Sequence, residues 1–76
     1  MSNKPFYVFL IDEDKNTFNI EGPMTDDTVW LEKGANAQNK GRNVRWQTGI
    51  RVEGIERAAS QFAAKSNYTR VSGSVF

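Results

Sequence analysis

An uninterrupted apolar run near the start of the chain predicts the central strand of a β-sheet. Residues 6–11 are apolar throughout and mostly aromatic or β-branched, which is typical of a strand covered on both faces. Residues 17–21 alternate strictly, with Phe18 and Ile20 on one side, and predict a second strand. The stretch 12–16 between them favours a tight turn, because Asp and Asn side chains satisfy their own backbone there. The two strands should therefore form a hairpin.

Glycine positions set the expected ends of the other strands. Gly22 and Pro23 should end the second strand. Residues 43–48 alternate between apolar and polar side chains and predict a third strand, which Gly49 should end. Residues 69–76 predict a fourth strand.

A first helix is predicted over residues 25–40. Thr25 can cap its free N–H groups, and the two Asp residues that follow favour the positive end of the helix dipole. Gly41 should end the helix. Trp30 and Gly34 fall on the stripe that should approach the sheet, where a small residue allows close packing.

A second helix is predicted over residues 52–66, with Asn67 as its stop. Its apolar side chains recur at the helical spacing and form one face. These residues are Val52, Ile55, Ala59, Phe62 and Ala63.

The resulting order, β-β-α-β-α-β, predicts an α+β fold in a single domain over residues 1–76. We expect a four-stranded mixed sheet with both helices packed on one face. A chain of 76 residues is too short for two domains that each close a core. Hydrophobic residues make up 38% and charged residues 25%, a balance that favours a globular chain over a disordered one.

The chain contains no Cys and no His, which removes disulfides, thiolate or imidazole metal sites and the commonest nucleophile–base pairs. The turn at 12–16 resembles the opening of a calcium loop, but Thr17 and Pro23 stand where that loop needs Gly and Glu. No phosphate-binding loop is present. We therefore predict a protein that is not an enzyme and needs no metal or cofactor.

Charge is strongly segregated along the chain, although the net charge is only +1. Residues 1–32 contain two basic and seven acidic residues, which gives −5, and residues 33–76 contain eight basic and two acidic residues, which gives +6. Each half therefore offers a candidate binding surface.

The acidic half supplies the first candidate, an acidic patch beside the hairpin turn and the first helix. Such a patch can mimic phosphates and speed encounter with a basic partner. Trp30 is either the anchor of its helix or an exposed hot spot for binding. We call these residues the acidic set: Asp12, Glu13, Asp14, Asp26, Asp27 and Trp30.

The basic half supplies the second candidate. Between residues 33 and 51 the chain has five basic residues and no acidic one, together with Trp46 and several amide side chains. This mixture suits a phosphate backbone with stacked bases, whereas a core position for Trp46 would reduce the charges to a solubility role. We call the five residues the basic set: Lys33, Lys40, Arg42, Arg45 and Arg51.

The leading hypothesis is a non-catalytic module that binds a larger protein or nucleoprotein complex. The profile is that of small phage or mobile-element inhibitors of host defence complexes, such as anti-CRISPR proteins, although no motif assigns a family. The alternative is a small nucleic-acid-binding domain that uses residues 33–51. A homodimer that joins acidic and basic surfaces head to tail is also open. The six-residue apolar run is too short for a signal peptide or a membrane span, which predicts a cytoplasmic protein without membrane contact.

Overall fold

The apolar run at the start of the chain lies at the centre of the observed sheet. The computed structural model describes residues 4–73 and 75–76. Its sheet has the strand order β3-β1-β2-β4, in which β1 is antiparallel to both neighbours and β4 is parallel to β2. The strands are β1 (Phe6–Asp12), β2 (Thr17–Met24), β3 (Val44–Arg51) and β4 (Thr69–Arg70). The helices are α1 (Thr28–Asn39) and α2 (Ile55–Ser66), and a 3-10 turn (Val52–Gly54) precedes α2.

The predicted α+β class, the element order and the four-stranded mixed sheet are confirmed. Five of the seven residues of β1 are buried, as expected of a strand that is covered on both faces. None of the helices in the described ranges has the length and apolar character needed to span a bilayer.

One face of the sheet packs against α2. Phe9 and Phe18 lie on neighbouring strands with ring centroids 5.7 Å apart. Phe62 of α2 meets both rings edge-on, at 5.4 and 4.9 Å, and Ala59 beside it is 3% exposed. The predicted apolar face of the second helix is therefore the face that closes this aromatic core.

The opposite face packs against α1, so the expectation that both helices share one face is wrong. Leu10 lies directly across from Trp46, and neighbouring residues of a strand point to opposite faces, which places both on the side away from Phe9. Trp46 lies against Gly34 of α1, where an added Cβ would come within 2.3 Å of the indole ring. The sheet is thus sandwiched between the two helices.

Both predicted strand breaks are wrong, because β2 and β3 continue through them as bulges. The pairing of β1 with β3 shifts by one residue between Tyr7 and Phe9, and Gly49 takes the left-handed conformation there, with φ +79. The extra residue turns Ile50 toward the α2 face, where it packs on the aromatic core. The pairing of β1 with β2 shifts at the same level of the sheet, opposite Gly22.

The helix ends follow the sequence at their C-termini and differ at both N-termini. Gly41 and Asn67 both adopt a positive φ just after a helix, as expected of C-terminal stops. Helix α1 begins at Thr28 rather than near Thr25. Asp26 holds that start, because its Oδ1 accepts hydrogen bonds from the Thr28 backbone and hydroxyl at 2.9 and 2.6 Å. Helix α2 begins at Ile55 rather than at Val52, because Val52–Gly54 form the 3-10 turn that precedes it.

The last part of the chain is not the long strand that was predicted. β4 contains only Thr69 and Arg70, and Ser74 of the predicted strand lies outside the described residues. The final residues instead reach the α1 face, where Phe76 meets the Trp46 ring edge-on at 6.2 Å. The C-terminal segment therefore helps to cover the face of the sheet that α1 leaves partly open.

Candidate functional site

The acidic turn after β1 lies beside the loop that joins α1 to β3, so acidic and basic residues distant in sequence meet. Asp12 is 4% exposed and its Oδ2 lies 3.4 Å from Arg42 Nη2. Its Oδ1 accepts hydrogen bonds from the backbone of Asp14 and Lys15 at 3.0 and 3.3 Å. Arg42 Nη2 also donates to the carbonyl of Val75. This contact ties the hairpin turn, the α1–β3 loop and the C-terminal segment together.

Glu13 forms a second link across the sequence. Tyr68 donates its hydroxyl hydrogen to Glu13 Oε2, and Arg45 Nε donates to Oε1. The Tyr68 hydrogen bond is the largest of the effects that lower the pKa of Glu13. The hydrogen bond and the positive charge of Arg45 also lower this pKa, whereas burial opposes them. The same bond to Glu13 raises the pKa of Tyr68. Tyr68 stacks on Phe62, so this polar cluster rests on the aromatic core.

The other members of the acidic set lie elsewhere or are already bonded. Asp14 is exposed, and its Oδ2 lies 3.4 Å from the backbone nitrogen of Asn43. Asp27 accepts a hydrogen bond of 2.7 Å from the Thr48 hydroxyl, well along β3 from the hairpin turn. Because Thr48 lies four residues beyond the strand partner of Asp12, the two acidic groups are separated by about 13 Å along the strand.

Trp30 is half-buried, and Lys33 Nζ lies 4.7 Å from its ring centroid. The indole ring therefore makes a cation–π contact with Lys33 and is partly covered by it. The structure does not bring the acidic set together as one patch: Asp12 is buried, Glu13 is bonded on both oxygens, and the remaining carboxylates are divided between two regions.

The basic set is divided among three places. Lys33, Lys40 and Arg42 line one concavity beside α1. Arg45 points to the α2 side of the sheet, where Glu13 pairs with it. Arg51 lies at the far end of β3 beside Lys4.

The sequence left open whether Trp46 packs in the core or presents its ring to stacked bases. Trp46 is half-buried between Gly34 and Phe76, as part of the α1-side packing. Trp46 is therefore a packing residue of the α1 side. Arg45, its neighbour, is exposed on the other face.

Strand β3 forms one edge of the sheet. Within the described part of the chain it pairs only with β1, and five of its eight residues are exposed. Sequence reasoning placed a strand here but missed that it is an edge and that it extends to Arg51. Its alternation of apolar and polar side chains indicates one polar face, which interior antiparallel strands share, so no local signal marked it as an edge.

Among the described residues, no group of three or more acidic side chains is arranged to hold a metal ion. No protein-family model, curated protein or solved structure matches the chain.

Proposed function

We propose that the protein is a non-catalytic binding module that contacts a larger protein or nucleoprotein complex through the open edge of β3. The observation that supports this proposal is the exposure of an eight-residue strand that, among the described residues, is paired on one side only. A partner segment in extended conformation can add to such an edge through main-chain hydrogen bonds.

The backbone pattern identifies the groups that would meet the partner. Asn43 turns its carbonyl toward β1, where it accepts from the Glu13 backbone at 2.9 Å. Since strand residues alternate in direction, Val44, Trp46 and Thr48 turn their backbone groups outward. Gln38 already bonds the outward carbonyl of Val44, at 2.9 Å. Further along β3, the backbone N–H and C=O groups of Trp46 and Thr48 point outward.

The charges of the edge favour an acidic partner segment. β3 contains Arg45 and Arg51 and no acidic residue. The two side chains lie on opposite faces of the strand because of the bulge at Gly49. Bulges and edge charges discourage indiscriminate strand pairing. Arg45 is already paired with Glu13, so the edge would accept a segment that places a carboxylate beside Arg51.

The acidic set supports this role less well than the edge does, because its best-placed carboxylates are already bonded within the chain. The narrower hypothesis, a phage or mobile-element inhibitor of a host defence complex, stays a prediction. It agrees with a small module that acts by binding to a larger complex.

A displayed library of random peptides can test the proposal without knowledge of the natural partner. The wild type should enrich peptides rich in Asp and Glu. Thr48→Pro, which removes one outward N–H at an edge position where proline is tolerated, should weaken their binding at least tenfold. Thr48→Ala is the matched control, because it removes the same hydroxyl but keeps the N–H.

Far-UV circular dichroism and amide NMR spectra should first establish that both variants are folded. Equal binding by the two folded variants would reject addition of a strand at β3. Failure to enrich acidic peptides would reject the chemistry assigned to the partner.

A further inference from the structure

The concavity beside the C-terminal half of α1 combines three cations with an aromatic ring. Its volume is about 380 Å³, which falls within the usual range for ligand sites. Of the residues that the structure describes, no acidic side chain lines it. The lining residues are Lys33, Asn36, Ala37, Lys40, Arg42 and Phe76.

The helix itself aligns part of this surface. Lys33, Asn36 and Lys40 follow the spacing of one helix stripe, and the two lysines are seven residues apart, or about 10.5 Å along the axis. Neither lysine forms an ion pair within the described residues, in contrast to Arg42, Arg45 and Arg70. Their charges are therefore available to an anionic ligand.

Two of the cations are also held in position. Arg42 uses Nη2 for Asp12 and for the Val75 carbonyl, which leaves the donors of Nε and Nη1 for a ligand. Lys33 lies over the Trp30 ring. Side chains that are fixed before binding lose less conformational entropy when the ligand arrives.

We propose that this concavity binds the phosphate backbone of single-stranded nucleic acid. Separated cations along a surface suit successive phosphates, and an arginine fork suits phosphate oxygens. Phe76 supplies an aromatic ring and Asn36 an amide, the groups that stack on and bond to unpaired bases. A peptide of carboxylates would use the cations but gain nothing specific from the ring. The site lies off β3 and is independent of the edge proposed above.

The test is the binding of a labelled 12-nucleotide oligothymidylate, measured by fluorescence anisotropy over a series of salt concentrations. The double variant K33Q/K40Q should bind at least tenfold more weakly than the wild type at low salt. Each lost phosphate contact reduces the salt slope by about 0.7 for single strands, so the slope should fall by roughly 1.4. The matched control is R57Q/K65Q, which removes two cations from exposed positions of α2.

A specific site predicts that R57Q/K65Q keeps the wild-type slope. Equal weakening in both double variants would mean that net charge alone drives binding, and would overturn the proposal. Absence of binding by the wild type at low salt would also overturn it. Polyglutamate that competes as strongly as oligothymidylate of similar length would assign the concavity to acidic peptides instead. In amide NMR spectra, shifts confined to Asn36, Lys40 and Phe76 would support the site.

Discussion

The two faces of the sheet are closed in different ways. On the α2 side, rings from two strands and one helix form a continuous aromatic core. On the α1 side, a glycine lets the helix approach Trp46, and the C-terminal segment covers what the helix leaves open. The α2 face buries aromatic rings, whereas the α1 face buries the aliphatic Val8, Leu10 and Val44 and adds a close helix–strand fit and contacts between distant parts of the chain.

The two faces of the sheet also differ in their buried polar residues. Asp12 and Asn19 are 4% and 6% exposed, and their positions along β1 and β2 place both on the α1 side. Asn19 Nδ2 donates to Glu21 at 2.7 Å, while Asp12 holds the hairpin turn and Arg42. One small sheet is therefore closed by aromatic packing on one side and by a closely fitted layer with buried polar groups on the other.

The largest expected effect comes from removing apolar volume on the α2 side. Phe18 is fully buried, so Phe18→Ala should lower the free energy of unfolding by about 3–5 kcal/mol. That is a large part of the roughly 4–11 kcal/mol expected for a domain of this size. Urea denaturation followed by circular dichroism measures the change. Val29→Ala, at a position 57% exposed, should change stability by less than about 1 kcal/mol. Similar midpoints for the two variants would contradict the assigned core.

The second prediction breaks the close fit on the α1 side. Gly→Ala within a helix normally stabilises by about 1 kcal/mol, but Gly34→Ala should destabilise by roughly 1–3 kcal/mol because the new methyl group meets Trp46. Gly54→Ala is the control, since nothing lies near its added Cβ. Combining Gly34→Ala with Trp46→Phe should recover part of the loss. A stabilised Gly34→Ala variant would show that α1 does not pack where it is described.

The smallest expected effect concerns the polar cluster that rests on the α2-side core. Tyr68→Phe keeps the ring on Phe62 but removes the hydrogen bond that lowers the pKa of Glu13. The pKa of Glu13 should therefore rise toward its ordinary value, as measured by carboxyl-carbon NMR titration. Tyr7→Phe, at the other end of β1, should leave the Glu13 titration in place. An unchanged titration in Tyr68→Phe would exclude this hydrogen bond in solution.

The sign of the pH effect follows from the two shifts. The lowered pKa of Glu13 contributes stability that is present above its ordinary value of 4.5 and is lost as the pH falls through the folded value. The raised pKa of Tyr68 contributes stability that is present below its ordinary value of 10.0 and is lost as the pH rises through the folded value. Tyr68→Phe should therefore reduce stability most between these two values.

Local pattern was sufficient for most elements and insufficient for the candidate sites. The apolar face of α2 and the hairpin of β1 with β2 were readable because their periodicities are strong. The segregation of charge along the chain was also real, but folding pairs Asp12 with Arg42 and Glu13 with Arg45. The distribution of charge along the sequence therefore did not predict which charged side chains remain available to a partner.

By itself, the sequence determined where most strands and helices lie, because spacing and helix stops act locally. Only the tertiary structure decided the strand order, since pairing between distant strands depends on register and connection geometry. With β1 at the centre, the connections through α1 and α2 cross the sheet in opposite directions. Crossovers of the same hand then require the helices to lie on opposite faces. The strand order leaves β3 as an open edge. The position of α1 brings Lys33, Lys40 and Arg42 beside Phe76.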